Sequence, residues 1–255
     1  MNLYFDAALA EGYRSAAQKI RVLTESWVAQ NMYCVRCGAP RLAHFPNNQA
    51  VADFYCPRCG SEYELKSGRG PAGHKIADGA YDTFIERITS RNNPDFLILR
   101  YTSEPMRVEE FWAVPKHFFV PAIVEKRKPP APTARRAGWT GCNILFDEIP
   151  AQGRVAVISH GEMQAMDTVL ARMKQADMLY TENLQARGWL LDVLQCVNRI
   201  PDGVFTLAQV YAFEEILAVR HPQNQNIRAK IRQQLQVLRD RGVLSFVGRG
   251  LYEKI

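Results

Sequence analysis

The sequence predicts an α/β protein, in which a mixed sheet flanked by helices carries an inserted four-cysteine ribbon and precedes a smaller C-terminal domain. Three observations predict it. Helical and strand-like apolar patterns alternate over the first two thirds of the chain. Two C-x-x-C motifs interrupt them near the N-terminal end, and beyond Glu182 the chain becomes a run of helical patterns that ends in a short hairpin.

Composition limits the possible classes of protein. The chain has 255 residues, of which 47% are hydrophobic and 23% charged. This is an ordinary globular composition, so we expect a folded protein rather than a disordered one. No run of eighteen apolar residues occurs and the first residues lack the order of a secretory signal, so we expect a soluble cytoplasmic protein with no membrane partner. In that compartment disulfides are improbable. No obligatory protein partner is evident.

The elements of the first part follow from their apolar spacing. Apolar residues spaced by three and four predict an amphipathic first helix over residues 9–31, and the turn-rich segment after it predicts short strands. Apolar runs in "DFLILRY" and "FWAVP" indicate strands of a sheet that is buried on both faces. The remaining predictions are a helix in "DGAYDTFIERITSR", a basic, proline-rich surface loop over residues 125–143, a strand in "RVAVIS" and a helix in "MDTVLARMKQADMLYT".

The second part, residues 183–255, predicts three helices followed by a hairpin. Thr206 and Gln209 have the capping-box form, Gly242 suits a helix C-terminus, and apolar residues alternate on either side of Arg249 and Gly250. Three helices and a terminal hairpin describe a winged helix. From residue 223 onward the chain has seven basic residues and two acidic ones, so a net charge of +5, out of +6 for the whole chain, lies in this tail. An acidic polymer is the natural partner of such a patch.

The cysteines predict a structural zinc site. Cys34 and Cys37 form one pair and Cys56 and Cys59 the other, each pair is followed by a glycine, and eighteen residues separate the pairs. Four thiolates complete a tetrahedron and leave no open position, so Zn²⁺ here would be structural. The alternative is four reduced cysteines that pack as small apolar side chains. The other two cysteines lack partners at ligand spacing and are expected in the core.

Two acids and a lysine surround the second cysteine pair in sequence. If Asp53 ends one strand and Glu64, Leu65 and Lys66 lie on the next, Glu64 and Lys66 project from the same face and Asp53 can meet them. The two carboxylates, with the Leu65 carbonyl, would hold Mg²⁺ through hard oxygens, and Lys66 would orient a water or neutralise phosphate charge. This arrangement suits metal-assisted phosphodiester hydrolysis. The alternative is surface carboxylates paired with a lysine.

Three segments carry a resemblance to a known family. "VADFYCPRCGSEYELKS", "PPAPTARRAGWTGCN" and "KIRQQLQVLRDRGVLSFVGRGLYEKI" resemble the DpnI-like, methyl-directed restriction endonucleases of the PD-(D/E)xK superfamily, in the same order and over nearly the whole chain. The resemblance implies a restriction-endonuclease-like fold over residues 1–182 and a winged-helix DNA-binding domain over residues 183–255. It also implies a Mg²⁺-dependent type II enzyme that hydrolyses both strands of double-stranded DNA at GATC when the adenine is methylated. Catalytic roles fall to Asp53, Glu64 and Lys66, although Ala52 stands where the superfamily motif has proline.

Candidate DNA-reading residues lie in two places. On the third helix of the winged helix, the apolar face turns inward and the polar positions are expected to be exposed as readers of base edges in the major groove. Arg249 at the hairpin tip would reach a phosphate. By resemblance the basic loop approaches DNA, where an indole suits a methylated amine, although Trp139 could equally be a core residue. These residues are Arg135, Arg136, Trp139, Arg228, Lys230, Arg232, Gln233, Gln234, Gln236 and Arg249.

Magnitude constrains how a methyl group is read. Burial of one methyl gains about 0.8 kcal/mol, or roughly fourfold in affinity. A palindromic site offers two methyls, so we hypothesise that both domains read the mark in succession. Two other functions stay open: a zinc-ribbon and winged-helix regulator that binds DNA without catalysis, and a nuclease of other specificity.

Overall fold

The computed structural model describes residues 2–45 and 52–255, and within them the helices and strands alternate as the sequence predicts. The strands are β1 (Ala43–His44), β2 (Phe54–Tyr55), β3 (Glu62–Arg69), β4 (Lys75–Ala80), β5 (Asp95–Ser103), β6 (Met106–Val114), β7 (Val124–Lys126), β8 (Gly141–Leu145), β9 (Val155–Ser159), β10 (Glu162–Met163), β11 (Val204–Thr206), β12 (Leu244–Gly248) and β13 (Leu251–Lys254). The α-helices are α1 (Ala16–Asn31), α2 (Tyr81–Thr89), α3 (Met166–Asp177), α4 (Leu184–Arg199), α5 (Leu207–Tyr211), α6 (Glu214–Arg220) and α7 (Ile227–Asp240).

The main sheet has seven strands in the order β1-β2-β3-β5-β6-β9-β10. Among the described strands of this sheet, only β3 and β5 pair in parallel, so the sheet is mixed, as the sequence predicts. Strand β5 explains the continuous apolar run: Phe96 and Ile98 face one apolar cluster, while Leu97 and Leu99 face another. The sheet is therefore buried on both faces, with α1 and α3 on one side and α2 on the other.

A second sheet, β4-β8-β7, lies beside α2. Strands β4 and β8 are antiparallel, with Asp78 opposite Cys142. The helix predicted in "DGAYDTFIERITSR" is too long at its start. Asp78, Gly79 and Ala80 belong to β4, because the helical spacing of apolar side chains begins only at Tyr81. The first helix also differs from its prediction: α1 begins at Ala16, and a short 3-10 helix over Ala7–Ala10 replaces its expected first turns.

The C-terminal segment is a winged helix, with a three-stranded sheet of order β11-β13-β12. The capping box of Thr206 and Gln209 and the left-handed backbone of Gly242, with φ of 71°, are both confirmed. The predicted second helix is divided into α5 and α6 at Ala212 and Phe213. No helix in the described part of the chain is long and apolar enough to cross a membrane.

One apolar cluster joins the winged helix to the rest of the chain. Ile149 and Leu179 belong to the same buried cluster as Trp189, Leu194 and Phe205. Polar contacts surround this junction. Glu148 accepts hydrogen bonds from Arg199 Nη2 at 2.6 Å and from Arg220 Nη2 at 2.7 Å, and Gln195 Nε2 donates to the Asp147 carbonyl at 2.6 Å. The winged helix is therefore packed against the sheet domain through a shared core.

Candidate active site and nucleic-acid interface

Asp53 lies immediately before β2, rather than at the end of a strand as the sequence predicted. Its backbone N–H donates to the Tyr63 carbonyl at 2.9 Å, which continues the antiparallel pairing of β2 with β3. Its carboxylate Oδ2 accepts the backbone N–H of Leu65 at 2.7 Å. The hairpin thus holds this carboxylate beside the Glu64-Leu65-Lys66 triplet of β3.

Glu64 and Lys66 share one face of β3, as period-two alternation requires. Lys66 Nζ lies 2.6 Å from Glu64 Oε1. The other oxygen, Glu64 Oε2, is buried, accepts no hydrogen bond from the described residues and lies 3.4 Å from Arg87 Nε. Leu65 points to the opposite face and packs against the apolar cluster that contains α1. The structure therefore brings the three predicted residues together around one point of the sheet.

A third carboxylate, which sequence reasoning missed, completes the surroundings of the lysine. Asp78 Oδ1 accepts a hydrogen bond from Lys66 Nζ at 2.5 Å, and the Asp78 side chain is only 8% exposed. Burial, the largest single effect, lowers the pKa of Lys66, but the charges of Glu64 and Asp78 outweigh it, so the pKa is raised above its ordinary value. The lysine is therefore held as an ammonium group between two carboxylates.

The four cysteine sulfurs of the predicted zinc site lie together. All four Sγ atoms are within 4.8 Å of one another, and the Cys34–Cys59 and Cys37–Cys56 Sγ pairs are each 3.6 Å apart. A tetrahedral site with Zn–S bonds of about 2.3 Å has sulfur–sulfur edges of roughly 3.8 Å, so the geometry fits zinc.

Both cysteine pairs form the same turn. Gly38 N–H donates to the Cys34 carbonyl and Gly60 N–H to the Cys56 carbonyl, and both glycines have φ of 72°, which favours glycine over other residues.

The thiol pKa values reflect this setting. Burial raises the pKa of the Cys34 thiol. Burial also acts to raise the pKa of Cys59, but hydrogen bonds from the Ser61 hydroxyl and backbone outweigh it and lower the pKa to about 6. One thiolate is thus readily available to a metal at neutral pH. Cys142 and Cys196 are buried core residues, as predicted.

The basic loop between β7 and β8 carries Arg135, Arg136 and Trp139 on the surface. Trp139 is 36% exposed, so the core alternative for this side chain is excluded. The guanidinium groups of Arg127 and Arg136 lie 5.5 Å and 5.8 Å from the centre of its ring. Such cation–π contacts orient the indole at the surface.

At the start of this loop, Arg127 contacts the backbone of Asp78, the residue that binds Lys66. Arg127 Nη2 donates to the Asp78 carbonyl at 3.0 Å, and Arg127 N–H donates to the Gly141 carbonyl at 2.9 Å.

Helix α7 presents most of its predicted reading residues to solvent. Arg228, Arg232, Gln233 and Gln236 are exposed and Lys230 is half-buried, whereas Gln234 is only 5% exposed. The prediction that Gln234 is exposed was wrong. Its position lies on the buried face of the helix, together with Ile231, Leu235 and Leu238.

Neighbouring side chains orient several of these groups. Arg228 Nε donates to Glu214 at 2.7 Å, Arg232 Nη1 donates to the Tyr211 hydroxyl at 2.7 Å, and Lys230 Nζ donates to Gln233 Oε1 at 2.8 Å. Arg249 is exposed at the turn between β12 and β13.

These features define a class of protein. The mixed sheet carries Asp53, Glu64 and Lys66 beside a four-cysteine cluster, and a winged helix follows it. The chain is therefore a restriction-endonuclease-like protein fused to a helix-turn-helix module. Comparison with family models agrees with this class. The DpnI model, described as the Dam-replacing family, matches residues 1–182, and the model of the Dam-replacing HTH domain matches residues 185–254. The chain belongs to the Dam-replacing family of DpnI. The resemblance inferred from the sequence is confirmed, and membership supports a methyl-directed restriction endonuclease that binds DNA.

Proposed function

We propose that this protein is a Mg²⁺-dependent type II restriction endonuclease that hydrolyses both strands of DNA at GATC sites carrying methylated adenine. The observation that carries the proposal is the convergence of Asp53, Glu64 and Lys66 at one point of the sheet in a member of this family. In this proposal residues 1–182 form the catalytic domain with its zinc ribbon, and residues 183–255 form the winged-helix DNA-binding domain.

The donor set of the site suits a hard divalent cation. Asp53, Glu64 and the Leu65 carbonyl offer oxygen ligands, which Mg²⁺ prefers. Glu64 Oε2 is buried, lies 3.4 Å from Arg87 Nε and accepts no hydrogen bond from the described residues, so it retains lone pairs that a cation could use. Bound there, Mg²⁺ would polarise the scissile phosphate and lower the pKa of an attacking water.

The chain's own residues supply the remaining tasks. The Leu65 N–H fixes the Asp53 carboxylate, so this ligand is oriented before any metal arrives. The Lys66 ammonium, held in its charged form, would neutralise the charge that develops on the phosphate or orient the attacking water. The cysteine cluster ties the loop between β2 and β3 to the turn at Cys34 and thereby holds Asp53 and Glu64 in register. Zinc would therefore be structural and magnesium catalytic.

DNA contact would involve both parts of the chain. The exposed arginine and glutamine side chains of α7, with the half-buried Lys230, suit guanine and adenine edges in the major groove. Arg249 would contact a phosphate. In the catalytic part, the exposed Trp139 ring would pack against a methylated amine while Arg135 and Arg136 neutralise phosphates. Because one methyl contributes roughly fourfold, reading of both methyls by both parts is the arrangement that gives strong discrimination.

Digestion of one plasmid, prepared with and without adenine methylation at GATC, tests this function. The wild type, Asp53→Ala and the control Asp82→Ala are compared with Mg²⁺ and with EDTA; Asp82 is a carboxylate whose side chain is 88% exposed. We expect the wild type and the control to cut only methylated plasmid, and only with Mg²⁺, while Asp53→Ala does not cut.

The other outcomes discriminate the alternatives. Cutting of both plasmids would keep the catalytic site and refute the methyl specificity. Binding of DNA without strand loss under every condition would assign the protein to the class of non-catalytic regulators.

A further inference from the structure

Among the described acids around Lys66, Asp78 is the one to which the proposed function gives no task. It lies on β4, outside the main sheet, and its Oδ1 is 2.5 Å from Lys66 Nζ. We propose that Asp78 is a positioning residue that fixes the Lys66 ammonium toward the scissile phosphate. The proposal rests on the catalytic role of Lys66 in the proposed function.

The position of Asp78 is itself tightly fixed. The Gly79 N–H donates to Asp78 Oδ1 at 2.6 Å, and the Asp78 carbonyl accepts Arg127 Nη2 at 3.0 Å. The guanidinium of Arg127 lies against the backbone of Gly141, where an added Cβ would be 1.9 Å from Nη2. Antiparallel pairing with β8 sets the backbone on the other side. Arg127 and β8 fix the backbone of Asp78 and the Gly79 N–H fixes its carboxylate, so Asp78 can hold a flexible side chain in one place.

Lysine needs such an anchor. Its four-carbon side chain has many rotamers, so ordering it costs conformational entropy, and its ammonium group has no preferred planar geometry. Glu64 also contacts Nζ, but in the proposed function its oxygens are ligands of Mg²⁺. The proposed function assigns no metal to Asp78, so its contact with Lys66 is the one that would persist in the loaded enzyme.

Asp78 in turn depends on Lys66 to compensate its own buried charge. Asp78 Oδ2 is buried without a hydrogen-bond partner among the described residues, so the charge of this carboxylate is compensated chiefly through Oδ1 by Lys66. Breaking a buried pair from one side leaves an uncompensated charge, whereas removing both charges does not. A purely structural role of Asp78, acting through Gly79 or Arg127, would not depend on the lysine.

The kinetic test compares Asp78→Asn with the exposed control Asp82→Asn. We expect the single-turnover cleavage rate of a methylated duplex to fall about tenfold or more in Asp78→Asn, as for loss of a hydrogen bond between charged groups. The Mg²⁺ concentration for half-maximal rate and the affinity for the duplex with Ca²⁺ should stay within about twofold of wild type. An unchanged cleavage rate would overturn the proposal, and so would a raised Mg²⁺ requirement or weakened binding, which would assign Asp78 to the metal or to DNA.

A stability cycle tests the same contact without any activity. Asp78→Asn should lower the thermal midpoint in the wild-type background and should not lower it in Lys66→Met. Equal losses in both backgrounds would overturn the proposal. If Asp78→Asn alone does not fold, a folded Lys66→Met/Asp78→Asn protein supports it, and failure of both proteins to fold refutes it. Absence of cleavage by the wild type would instead refute the proposed function. The stability cycle would then test only whether Asp78 and Lys66 stabilise the fold as a pair.

Discussion

His117 gives the fold a pH dependence whose size follows from its surroundings. Its side chain is 3% exposed, its Nε2–H donates to the Ala176 carbonyl at 2.9 Å, and its ring packs against Phe118 and Tyr180. Burial lowers the pKa of His117 from its ordinary value of 6.5 to about 4. The neighbouring Asp177 and Asp95 act to raise the pKa, but burial outweighs them.

The consequence for stability has a definite direction. Above pH 6.5 the imidazole is neutral in the folded and the unfolded chain, and it adds no pH dependence. Between about pH 6.5 and pH 4 only the unfolded chain takes up the proton, so the free energy of unfolding decreases as the pH falls. Each unit of pKa difference corresponds to about 1.4 kcal/mol, which gives a loss of about 3 kcal/mol at pH 4. Below that pH the contribution is constant.

Urea unfolding of the wild type and of His117→Gln at pH 7, 6, 5 and 4 measures this loss. Glutamine keeps an amide donor for the Ala176 carbonyl but does not titrate. The difference between the two free energies should change by about 3 kcal/mol over this range. Carboxylates and thiolates titrate in both proteins and cancel in the comparison. His160→Gln, which alters an 89% exposed histidine, is the control for the substitution itself. Parallel curves for wild type and His117→Gln would refute the assignment of a neutral, buried imidazole.

Three further outcomes are expected. Cys56→Ser removes one of four ligands, so bound zinc, measured by atomic absorption, should fall from about one ion per chain to a small fraction, with a lower thermal midpoint. Gly153→Ala should lower the free energy of unfolding by about 1–3 kcal/mol in urea, because a Cβ there would lie 2.3 Å from Cδ1 of the buried Phe118 ring; an unchanged value would mean that the ring moves freely. Arg249→Gln should reduce the slope of log affinity against log salt for duplex binding by about one, and an unaltered slope would remove this residue from the phosphate contacts.

Local signals in the sequence were sufficient for much of the fold. The doubled C-x-x-C with following glycines predicted the cysteine cluster, and apolar runs predicted a sheet buried on both faces. Thr206 with Gln209 and Gly242 predicted two helix ends, since each of these features depends on residues within a few positions. The alternation of Glu64 and Lys66 needed only the period of a strand.

What the sequence did not predict depends on long-range contacts. Asp78 was assigned to the start of a helix, because nothing near it shows that it pairs with β8, more than sixty residues later. Its contact with Lys66 follows from that pairing. No local sequence pattern distinguishes Asp78 from an ordinary acid near the start of a helix, so only the structure identifies it. Gln234 shows the same limit, because helical spacing puts it at the margin of the apolar face and only tertiary packing decides its burial.

The apolar cluster that passes through Ile149, Leu179, Trp189 and Phe205 bears on how new specificities can arise in such a protein. A DNA-reading module on a flexible tether can be exchanged by recombination, because each part folds alone. Here an exchange of the winged helix would also replace half of a hydrophobic core, and a truncated chain would expose the other half. If α7 and the loop around Trp139 read DNA as proposed, new recognition is expected to evolve by substitutions on the outer face of α7 and in that loop, with the junction between the two parts left intact.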